Sequence, residues 1–306
     1  MDKSTYIRIA YWYYTLGITQ EEIGKRLSLT RQKVNQIIKS LETSEIVSFD
    51  IHGYYDDNIE LECSLEERFT LRQAIVVSGY GTSRTFFYRV ADAAAEYLNE
   101  NILQGHVVGV TWGKMLSQVV EELPFSKKKN CKVVQMVGDK NIAQTAEKSV
   151  EIVRCLANKL DCPSYMLYSS VMVDHPETKE WLLKERAVKE TFDLMKKCDI
   201  AVLGAGELTK EATSCTRGYL TEQEIEELQE QGFIADFAMN PIREDGSYDN
   251  CSLSDRIINV DMECLRGIDN VVMIAGGQGK INAIRAILKT GCVNTFITDE
   301  MTARQI

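Results

Sequence analysis

A run of cationic and amide side chains in residues 30–39 has the composition of a surface that reads DNA. In the stretch TRQKVNQIIKSL (30–41), the residues Val34, Ile37, Ile38 and Leu41 share one helical face. The opposite face carries no carboxylate. Arg and Lys bind phosphates, while Asn and Gln pair with base edges in the major groove. The candidate DNA-binding residues are Thr30, Arg31, Gln32, Lys33, Asn35, Gln36 and Lys39.

A second set of candidate residues lies in three loops that contain glycine and that each follow an apolar strand pattern. The loops are GVTWGK (109–114), GAGEL (204–208) and GGQGK (276–280). Glycine lets the backbone approach an anion, and a helix N-terminus supplies free N–H groups. Each loop alone also fits a plain turn between a strand and a helix. Three of them at one sheet edge favour a phosphate-like ligand.

Two charged residues extend this second set. Lys280 is a candidate for a phosphate or sugar contact, with a solvent-exposed lysine at a helix start as the alternative. Asp236, expected at the start of a strand, is a candidate acceptor for sugar hydroxyls, with a surface or capping role as the alternative. The candidate effector-binding residues are Gly109, Thr111, Trp112, Gly113, Lys114, Gly206, Asp236, Gly277 and Lys280.

Other site chemistries lack their signatures in the sequence. The loop at 276–280 is no nucleotide P-loop, since Ile281 stands where a Ser or Thr would hold magnesium. None of the three loops carries the GxGxxG spacing of a dinucleotide site, and the nine cysteines form no CxxC pair. No Ser/His/Asp order indicates a nucleophile. The sequence therefore predicts no catalytic residue, no cofactor and no metal site.

A helix-turn-helix is predicted to position the DNA-reading face. Thr19 can cap its first helix, with Glu22 as the capping-box partner, and Thr30 can cap the second. Gly24 is small enough to let the second helix come close. After the second helix, the alternating stretch IVSFDIH (46–52) predicts a short strand or wing.

A helix over about 4–16 is predicted to precede this motif. Ile7, Ala10, Tyr11 and Tyr14 recur at helical spacing, which predicts a stripe facing the core. The aromatic run at 11–14 could instead stack on nucleic acid, but packing is the favoured interpretation. Gly17 is expected to end the helix in a left-handed conformation.

Beyond a polar hinge and a helix at about 64–72, strand and helix patterns alternate. Strands are predicted at 74–78, 107–111, 132–137, 164–168, 199–204, 236–242, 270–276 and 294–298. Helices are predicted near 85–101, 113–122, 145–160, 177–196, 221–230 and 277–290. Apolar strands separated by amphipathic helices imply a mostly parallel sheet covered on both faces. The predicted domains are 1–52 for DNA binding, 53–63 as linker, and 64–306 for effector binding and oligomerisation.

The charge is unevenly distributed along the chain. The net charge is −10, yet residues 1–52 hold seven Lys/Arg against six Asp/Glu, which leaves +1 there and −11 in the rest. The local charge at the docking surface matters more for DNA than the total. The small net charge of +1 in residues 1–52 favours an oligomer that combines several DNA-binding modules. Reduced core cysteines, and the absence of a long apolar run or secretory signal, predict a cytoplasmic protein without a membrane partner.

The order and spacing of motifs along nearly the whole chain resemble the sorbitol-operon-regulator (SorC) family of bacterial transcription factors, which is related to the deoxyribonucleoside regulators. The first part of the resemblance is carried by 13–14, 19–24 and 30–34. In the body it is carried by GVTWG (109–113), VQMVG (134–138), GYL (218–220) and Asp236. It ends with AGG (275–277), Lys280, Ala283, Ile284 and TDE (298–300) followed by Thr302 and Ala303.

The resemblance implies a winged helix-turn-helix domain followed by a doubly wound α/β domain like that of sugar-phosphate isomerases. It further implies a transcriptional regulator whose partners are double-stranded operator DNA and a phosphorylated sugar effector. The expected assembly is a homodimer or homotetramer on a palindromic operator. By analogy, the 109–114 loop, Asp236 and Lys280 line the effector site.

Three departures from the family pattern leave two other hypotheses open. Met115 replaces a hydroxyl residue, Glu207 follows Gly206, and Asp139-Lys140 replace a second glycine. These changes allow a regulator with a vestigial effector site. The fold also permits a sugar-phosphate isomerase or lactonase fused to a helical module, because fold does not fix function. That reaction would need a positioned acid/base pair, and the loops show none.

Overall fold

The computed structural model divides the chain into two compact units, Met1–Tyr55 and Asp56–Ile306. The structure describes residues 2–44, 46–47, 58–78, 83–139 and 149–306. Each unit has its own apolar core.

The described part of the first unit contains three α-helices, and the second and third form a helix-turn-helix. Helix α1 (Lys3–Ala10) continues into a π-helical turn at Tyr11–Thr15, and α2 (Gln20–Leu27) and α3 (Arg31–Thr43) follow. The α2 cap is as predicted, because Thr19 Oγ1 accepts from the Glu22 backbone N–H at 3.3 Å. Thr30 Oγ1 likewise accepts from the Lys33 N–H at 3.2 Å at the start of α3.

The predicted capping box at α2 forms only in part. The Glu22 carboxylate lies 3.5 Å from the Arg26 guanidinium in an i,i+4 ion pair. A second i,i+4 ion pair, Glu21 to Lys25 at 2.9 Å, lies on the same helix. Carboxylates in the first turn and cations in the last turn complement the helix dipole, so both pairs support α2.

The close approach of α2 and α3 depends on Gly24, as the sequence predicts. A Cβ atom at position 24 would lie 2.7 Å from the backbone oxygen of Leu29 in the turn. Ser28 makes the turn with φ of 55°. Val34, Ile37, Ile38 and Leu41 of α3 are all buried in this core.

The stripe predicted for the first helix is wrong by one position. Ile7, Tyr11 and Tyr14 are exposed, and only Ala10 of the predicted set is buried. Ile9 and Ala10 are buried instead, with Tyr6 and Tyr13 packed against the same core. Residues 6, 9, 10 and 13 have the same i, i+3, i+4, i+7 spacing as the predicted set. Since the run at 11–14 is aromatic throughout, the spacing alone fits both faces.

The predicted wing falls mostly outside the described residues. Ile46 and Val47 are partly buried against the core of the first unit. The remainder of the 46–52 stretch lies beyond the described range. The helix-turn-helix itself is complete within residues 19–43.

The second unit alternates helices and strands along the chain. Its elements are α4 (Ile59–Phe69), β1 (Gln73–Val77), α5 (Ser83–Asn101), β2 (Val107–Val110), α6 (Lys114–Glu122), β3 (Lys132–Gln135), α7 (Ser149–Leu160), β4 (Ser164–Tyr165), α8 (Pro176–Lys184), α9 (Arg186–Met195), β5 (Ile200–Leu203), β6 (Gly206–Glu207), α10 (Thr213–Thr216), α11 (Glu222–Glu230), β7 (Phe233–Phe237), β8 (Asn240–Arg243), α12 (Met262–Arg266), β9 (Asn270–Ile274), α13 (Ile281–Lys289), β10 (Thr295–Asp299) and α14 (Glu300–Ala303). Within the described ranges, no helix has both the length and the apolar composition needed to cross a membrane.

The main sheet confirms the predicted mostly parallel α/β fold. Its seven strands lie in the order β1-β10-β9-β5-β2-β3-β4, and every neighbouring pair is parallel. Alternate residues along a strand enter different cores: Ala201 and Leu203 face one, Ile200 and Val202 the other. Both faces of the sheet are therefore covered, as the apolar strand patterns require.

The stretch 236–242, predicted as one strand, contains the end of β7, a turn at 238–239 and most of the antiparallel strand β8. β7 and β8 reverse direction at Ala238 and Met239, which have φ of 55° and 61°. With β6 they form a separate three-stranded sheet in the order β6-β7-β8. Asp236 thus lies near the end of a strand. The turn could not be predicted from the sequence, because Ala238 and Met239 are not Gly or Asn, the residues that usually adopt a left-handed conformation.

Two helix boundaries also differ from the predictions. Helix α4 begins at Ile59, inside the stretch 53–63 predicted as a linker. Its Glu62 and Glu66 carboxylates accept backbone N–H groups of β1 at 2.7 and 2.8 Å, which holds the helix against the sheet. The helix predicted over 177–196 is broken at Glu185, which is extended between α8 and α9. No glycine or proline signals that break.

The Gly24 contact generates a stability prediction. In an exposed helix, Gly→Ala stabilises by about 1 kcal/mol. At position 24 the added methyl group meets Leu29 O at 2.7 Å, so Gly24→Ala should instead destabilise the first unit by roughly 1–3 kcal/mol. Urea unfolding followed by fluorescence measures this in a Trp112→Phe, Trp181→Phe background, in which Trp12 is the remaining tryptophan. Ser4→Ala, at an exposed position of α1, is the control, and a more stable Gly24→Ala protein would contradict the packing.

Candidate functional site

The residues of α3 that are predicted to read DNA lie mostly on one exposed surface of the first unit. Arg31, Gln32, Lys33, Gln36 and Lys39 are exposed, as is Thr30 at the start of the helix. Asn35 is half-buried, and its Oδ1 accepts from Gln20 Nε2 at 3.3 Å. This surface is free of carboxylates from residue 30 to residue 41. Its chemistry, cationic and amide donors on a capped helix, suits a major groove.

A cleft of about 390 Å³ lies where the three glycine loops meet in the second unit. The loops follow β2, β5 and β9. The chain extends the sheet to β3 and β4 on one side of β2, and then returns to β5 on the other. The cleft therefore lies at the switch point of a doubly wound sheet, where such folds bind ligands.

The first loop joins β2 to α6. Thr111 is buried, and the Trp112 ring packs on the Tyr219 ring with centroids 4.1 Å apart. Gly113 has φ of 137°, a conformation that favours glycine, and it begins α6. None of the described side chains caps this helix. The first N–H groups of α6 are those of Lys114, Met115 and Leu116, which line the cleft. These N–H groups can donate hydrogen bonds to a bound anion.

The second loop brings Gly206 against Asp236. β6 pairs with β7 so that Gly206 lies opposite Asp236, and a Cβ atom at position 206 would lie 3.0 Å from Asp236 Oδ2. Asp236 is buried, and its Oδ1 accepts the Met239 N–H at 2.6 Å. Burial raises the pKa of Asp236 to about 6, against the Met239 hydrogen bond and Lys280, which lower it.

The third loop supplies Lys280. The Lys280 ammonium donates to the backbone oxygen of Ala205 at 2.8 Å, which joins the third loop to the second. Burial lowers the pKa of Lys280, and the nearby Glu207 and Asp236 carboxylates oppose this effect. Burial likewise raises the pKa of Glu207, while Lys280 lowers it. Lys280 and the two carboxylates therefore form one electrostatic group at this end of the cleft.

The third loop is held in place by the C-terminal motif TDEMTA. The Gly277 N–H donates to Thr302 Oγ1 at 2.8 Å, and the Thr302 hydroxyl donates to Asp299 Oδ2 at 2.7 Å. A Cβ atom at Gly276 would clash with that same Asp299 oxygen. Thr302 and Asp299 of this motif thus hold the 276–280 loop in place. These contacts give a structural reason why the two motifs occur in the same chain.

Seven of the nine residues proposed to bind the effector line the cleft. They are Thr111, Trp112, Gly113, Lys114, Gly206, Asp236 and Lys280. The lining does not include Gly109 or Gly277. Gly109 lies in β2, where a Cβ atom would clash with the side chain of Met136, so its small size serves packing. Gly277 orients the third loop through Thr302, while its neighbour Gly276 lines the cleft.

The cleft includes residues that sequence reasoning missed. Ser214, in the short helix α10, lines it together with Glu211 and Phe87. The Ser214 hydroxyl is buried and has no hydrogen-bond partner in the described part of the chain. No glycine or strand pattern in 211–216 indicates that Glu211 and Ser214 belong to a site. Met115 and Glu207 also line the cleft, whereas Asp139 accepts from the Tyr219 hydroxyl at 3.5 Å. Lys140 lies outside the described residues.

The two units together define a class of protein, a transcriptional regulator with a helix-turn-helix and a second unit that binds a small molecule. Comparison with known families agrees with this assignment. The chain belongs to the family described as "putative sugar-binding domain", whose model matches residues 54–306. The match covers the unit that holds the cleft.

Named relatives match the chain over nearly its full length. The deoxyribonucleoside regulator of Bacillus subtilis is 25% identical over 98% of this chain and 96% of its own. The erythritol catabolism regulatory protein EryD of Brucella abortus is 26% identical over 100% of this chain and 96% of its own. The full-length sorbitol operon regulator SorC of Klebsiella pneumoniae shares the fold, with a TM-score of 0.77 at 21% identity over 98% of this chain and 97% of its own. The resemblance drawn from the motifs is thus confirmed.

The raised pKa of Asp236 predicts a dependence of stability on pH. Because its folded pKa of about 6 exceeds the ordinary value of 3.8, the folded state binds more protons than the unfolded chain between these values. Its contribution to stability is therefore present below pH 4 and is lost as the pH rises through 6, by roughly 3 kcal/mol.

Urea unfolding of Asp236→Asn between pH 4.5 and 7.5 tests this expectation. Asparagine keeps an acceptor for the Met239 N–H but does not titrate, so the variant should lack the fall in stability that wild type shows over this range. Glu230→Gln, at an exposed carboxyl on α11, is the control and should follow wild type. Parallel pH profiles for wild type and Asp236→Asn would contradict the assignment.

Proposed function

We propose that this protein is a DNA-binding transcriptional regulator whose affinity for its operator changes when a small phosphorylated sugar binds the cleft. One observation carries the proposal: a capped recognition helix with an exposed cationic and amide face lies in the same chain as a cleft at a sheet switch point. Curated relatives along the whole chain are named as regulators. The cleft therefore senses its ligand rather than converting it.

The contacts to DNA follow from the exposed surface of α3. Arg31, Lys33 and Lys39 contact phosphates, and Gln32 and Gln36 reach base edges. Asn35 contacts DNA only if it leaves Gln20, because these side chains are hydrogen bonded to each other. The protein acts as a homodimer or homotetramer on a palindromic operator, with recognition helices about one helical turn apart.

The cleft offers complementary chemistry for a sugar phosphate. The uncapped start of α6 and the Lys114 side chain bind the phosphate, and Thr111 lies beside them. Asp236 accepts sugar hydroxyls, and Lys280 donates to them. Ligand binding shifts the balance between subunit arrangements through its different affinity for each of them.

Substitutions on α3 test the DNA-binding half of the proposal. Gln32→Ala and Gln36→Ala should reduce selectivity for the operator over unrelated DNA more than they reduce overall affinity, by about 1–3 kcal/mol for each base that the variant no longer reads. Arg31→Ala and Lys39→Ala should weaken binding to all DNA and make its salt dependence shallower. Gel-shift titrations at several salt concentrations measure both effects. Unchanged selectivity in both glutamine variants would place the recognition surface elsewhere.

Ligand binding by the full chain tests the second half. A sugar phosphate at 100 times its dissociation constant should stabilise the protein by about 2.7 kcal/mol in a thermal-shift assay and change the operator dissociation constant. Lys280→Gln should weaken that ligand at least tenfold while leaving operator binding without ligand unchanged. A broad panel of pentose and hexose phosphates without any shift would favour a vestigial cleft. Turnover of one of them would favour an enzyme.

A further inference from the structure

A second cavity of the second unit is lined by helices α8 and α9 and by the segment at 259–261. Among the described residues, none lines both this cavity and the cleft. Its volume is about 580 Å³, within the roughly 300–1,000 Å³ that is typical of small-molecule sites. Four lysines line it, and we term it the lysine groove: Lys179, Lys184, Lys189 and Lys196.

The lysine groove is a local excess of positive charge in an acidic unit. The chain beyond residue 52 carries a net charge of −11, whereas the groove lining holds four lysines against two carboxylates, Asp193 and Asp261. Asp261 has another role, since its Oδ1 accepts the Cys264 N–H at 2.7 Å at the start of α12. Lysines held close together repel one another, and a bound anion relieves that repulsion.

Three of the four lysines form no ion pair in the part of the chain that the structure describes: Lys184, Lys189 and Lys196. Asp193 follows Lys189 by four positions and precedes Lys196 by three, the spacings at which helical ion pairs form, and yet it pairs with neither. On the same helix, Arg186 and Glu190 do form such a pair, at 2.9 Å. These three ammonium groups therefore remain available to a ligand.

The remaining lining of the groove combines an apolar surface with a half-buried cation. Leu183 and Phe192 line the groove and are partly buried against the main core of the second unit. The Lys179 ammonium donates to the backbone oxygen of Ser254 at 2.7 Å, and burial lowers its pKa, against nearby carboxylates that raise it. An apolar ring can lie on Leu183 and Phe192 while phosphates attached to it reach the free lysines, which bind phosphate as point charges.

One residue connects the lysine groove to the cleft. Asn259 lines the groove, and its Nδ2 donates to the backbone oxygen of Ala238 at 2.8 Å. Ala238 lines the cleft and begins the turn whose Met239 N–H is bonded to Asp236. The two cavities therefore have a common wall, formed by Asn259 and the turn at 238–239.

We propose that the lysine groove is a second ligand site, for a small molecule that carries two or more phosphates on an apolar ring, as a nucleoside diphosphate does. The phosphates contact Lys184, Lys189 and Lys196, and the ring lies on Leu183 and Phe192. The occupant stabilises the turn at 238–239 through Asn259, so the cleft responds to it. This site is separate from the cleft, and its ligand binds whether or not the cleft holds a sugar phosphate.

Isothermal titration of the full-length protein tests the ligand class with three probes in magnesium-free buffer. ADP carries both the phosphates and the ring, pyrophosphate carries only the phosphates, and adenosine carries only the ring. ADP should bind at least tenfold more tightly than pyrophosphate, and adenosine should give no binding heat. The inference is overturned if ADP does not bind, or if either of the other two probes binds as tightly as ADP.

Substitutions locate the binding site. The double variant Lys189→Gln, Lys196→Gln should weaken ADP at least tenfold. The matched control is Lys129→Gln, Lys197→Gln, which removes the same charge at two exposed positions outside the groove lining and should stay within twofold of wild type. ADP affinity should also be unchanged in Lys280→Gln, whose substitution lies in the cleft. Equal losses in both double variants, or a loss in Lys280→Gln alone, would reject the groove as the site.

Hydrogen exchange tests the link to the cleft. Saturating ADP should slow amide exchange at least twofold in the peptide that spans 236–243 of wild type, and should leave it unchanged in Lys189→Gln, Lys196→Gln at the same concentration. Unchanged exchange in wild type despite ADP binding would refute the link. A wild type that binds no ADP, with an oligomeric state altered by the lysine substitutions, would assign the groove to a second copy of the chain and overturn the inference. None of these readouts uses a sugar phosphate, so a failure of the proposed function would leave them unaffected.

Discussion

The cleft depends on two close approaches between a carboxylate and a glycine. Asp236 lies against Gly206, and Asp299 lies against Gly276, each in the space that a side chain would otherwise fill. The first contact packs the loop after β5 against β7, and the second packs the loop after β9 against the end of β10. Any larger residue at 206 or 276 would push apart the segments that form the cleft, because protein interiors tolerate little extra volume. Asp299 acts through Thr302 as well, so the last turn of the chain supports the same loop.

Electrostatics divides the cleft into two chemically different ends. The α6 end offers Lys114 and first-turn N–H groups that no described side chain caps, while the other end holds Lys280 with Glu207 and Asp236. Burial acts on all three residues of the second group in the direction that disfavours charge, raising the pKa of the two acids and lowering that of the lysine. Their mutual attraction opposes that effect. This balance suits a ligand that brings hydroxyl groups, which can donate to the acids and accept from the lysine.

Much of the architecture could be predicted because it depends on residue types and spacings within short stretches of the sequence. The helix caps at Thr19 and Thr30, the buried face of α3 and the parallel order of strand and helix all follow from residue spacing and type. Seven cleft residues were also predicted, since glycines after apolar strands in a parallel sheet converge at one edge. The failures have equally specific causes. Tyr6, Ile9, Ala10 and Tyr13 fit a helical stripe as well as the predicted set does, and the reversal at Ala238–Met239 uses residues that rarely take a left-handed conformation.

By itself, the sequence determined the family, the helix-turn-helix with its exposed cationic and amide face, and the parallel α/β fold, because these depend on periodicity, capping and the order of motifs. Only the tertiary structure decided that Gly109 serves packing and that Ser214 and Glu211 belong to the cleft. These facts join residues that are far apart in the chain. Such contacts depend on the order of the strands in the sheet and on glycines that let other segments come close. A local pattern of residues does not show which distant segments will meet.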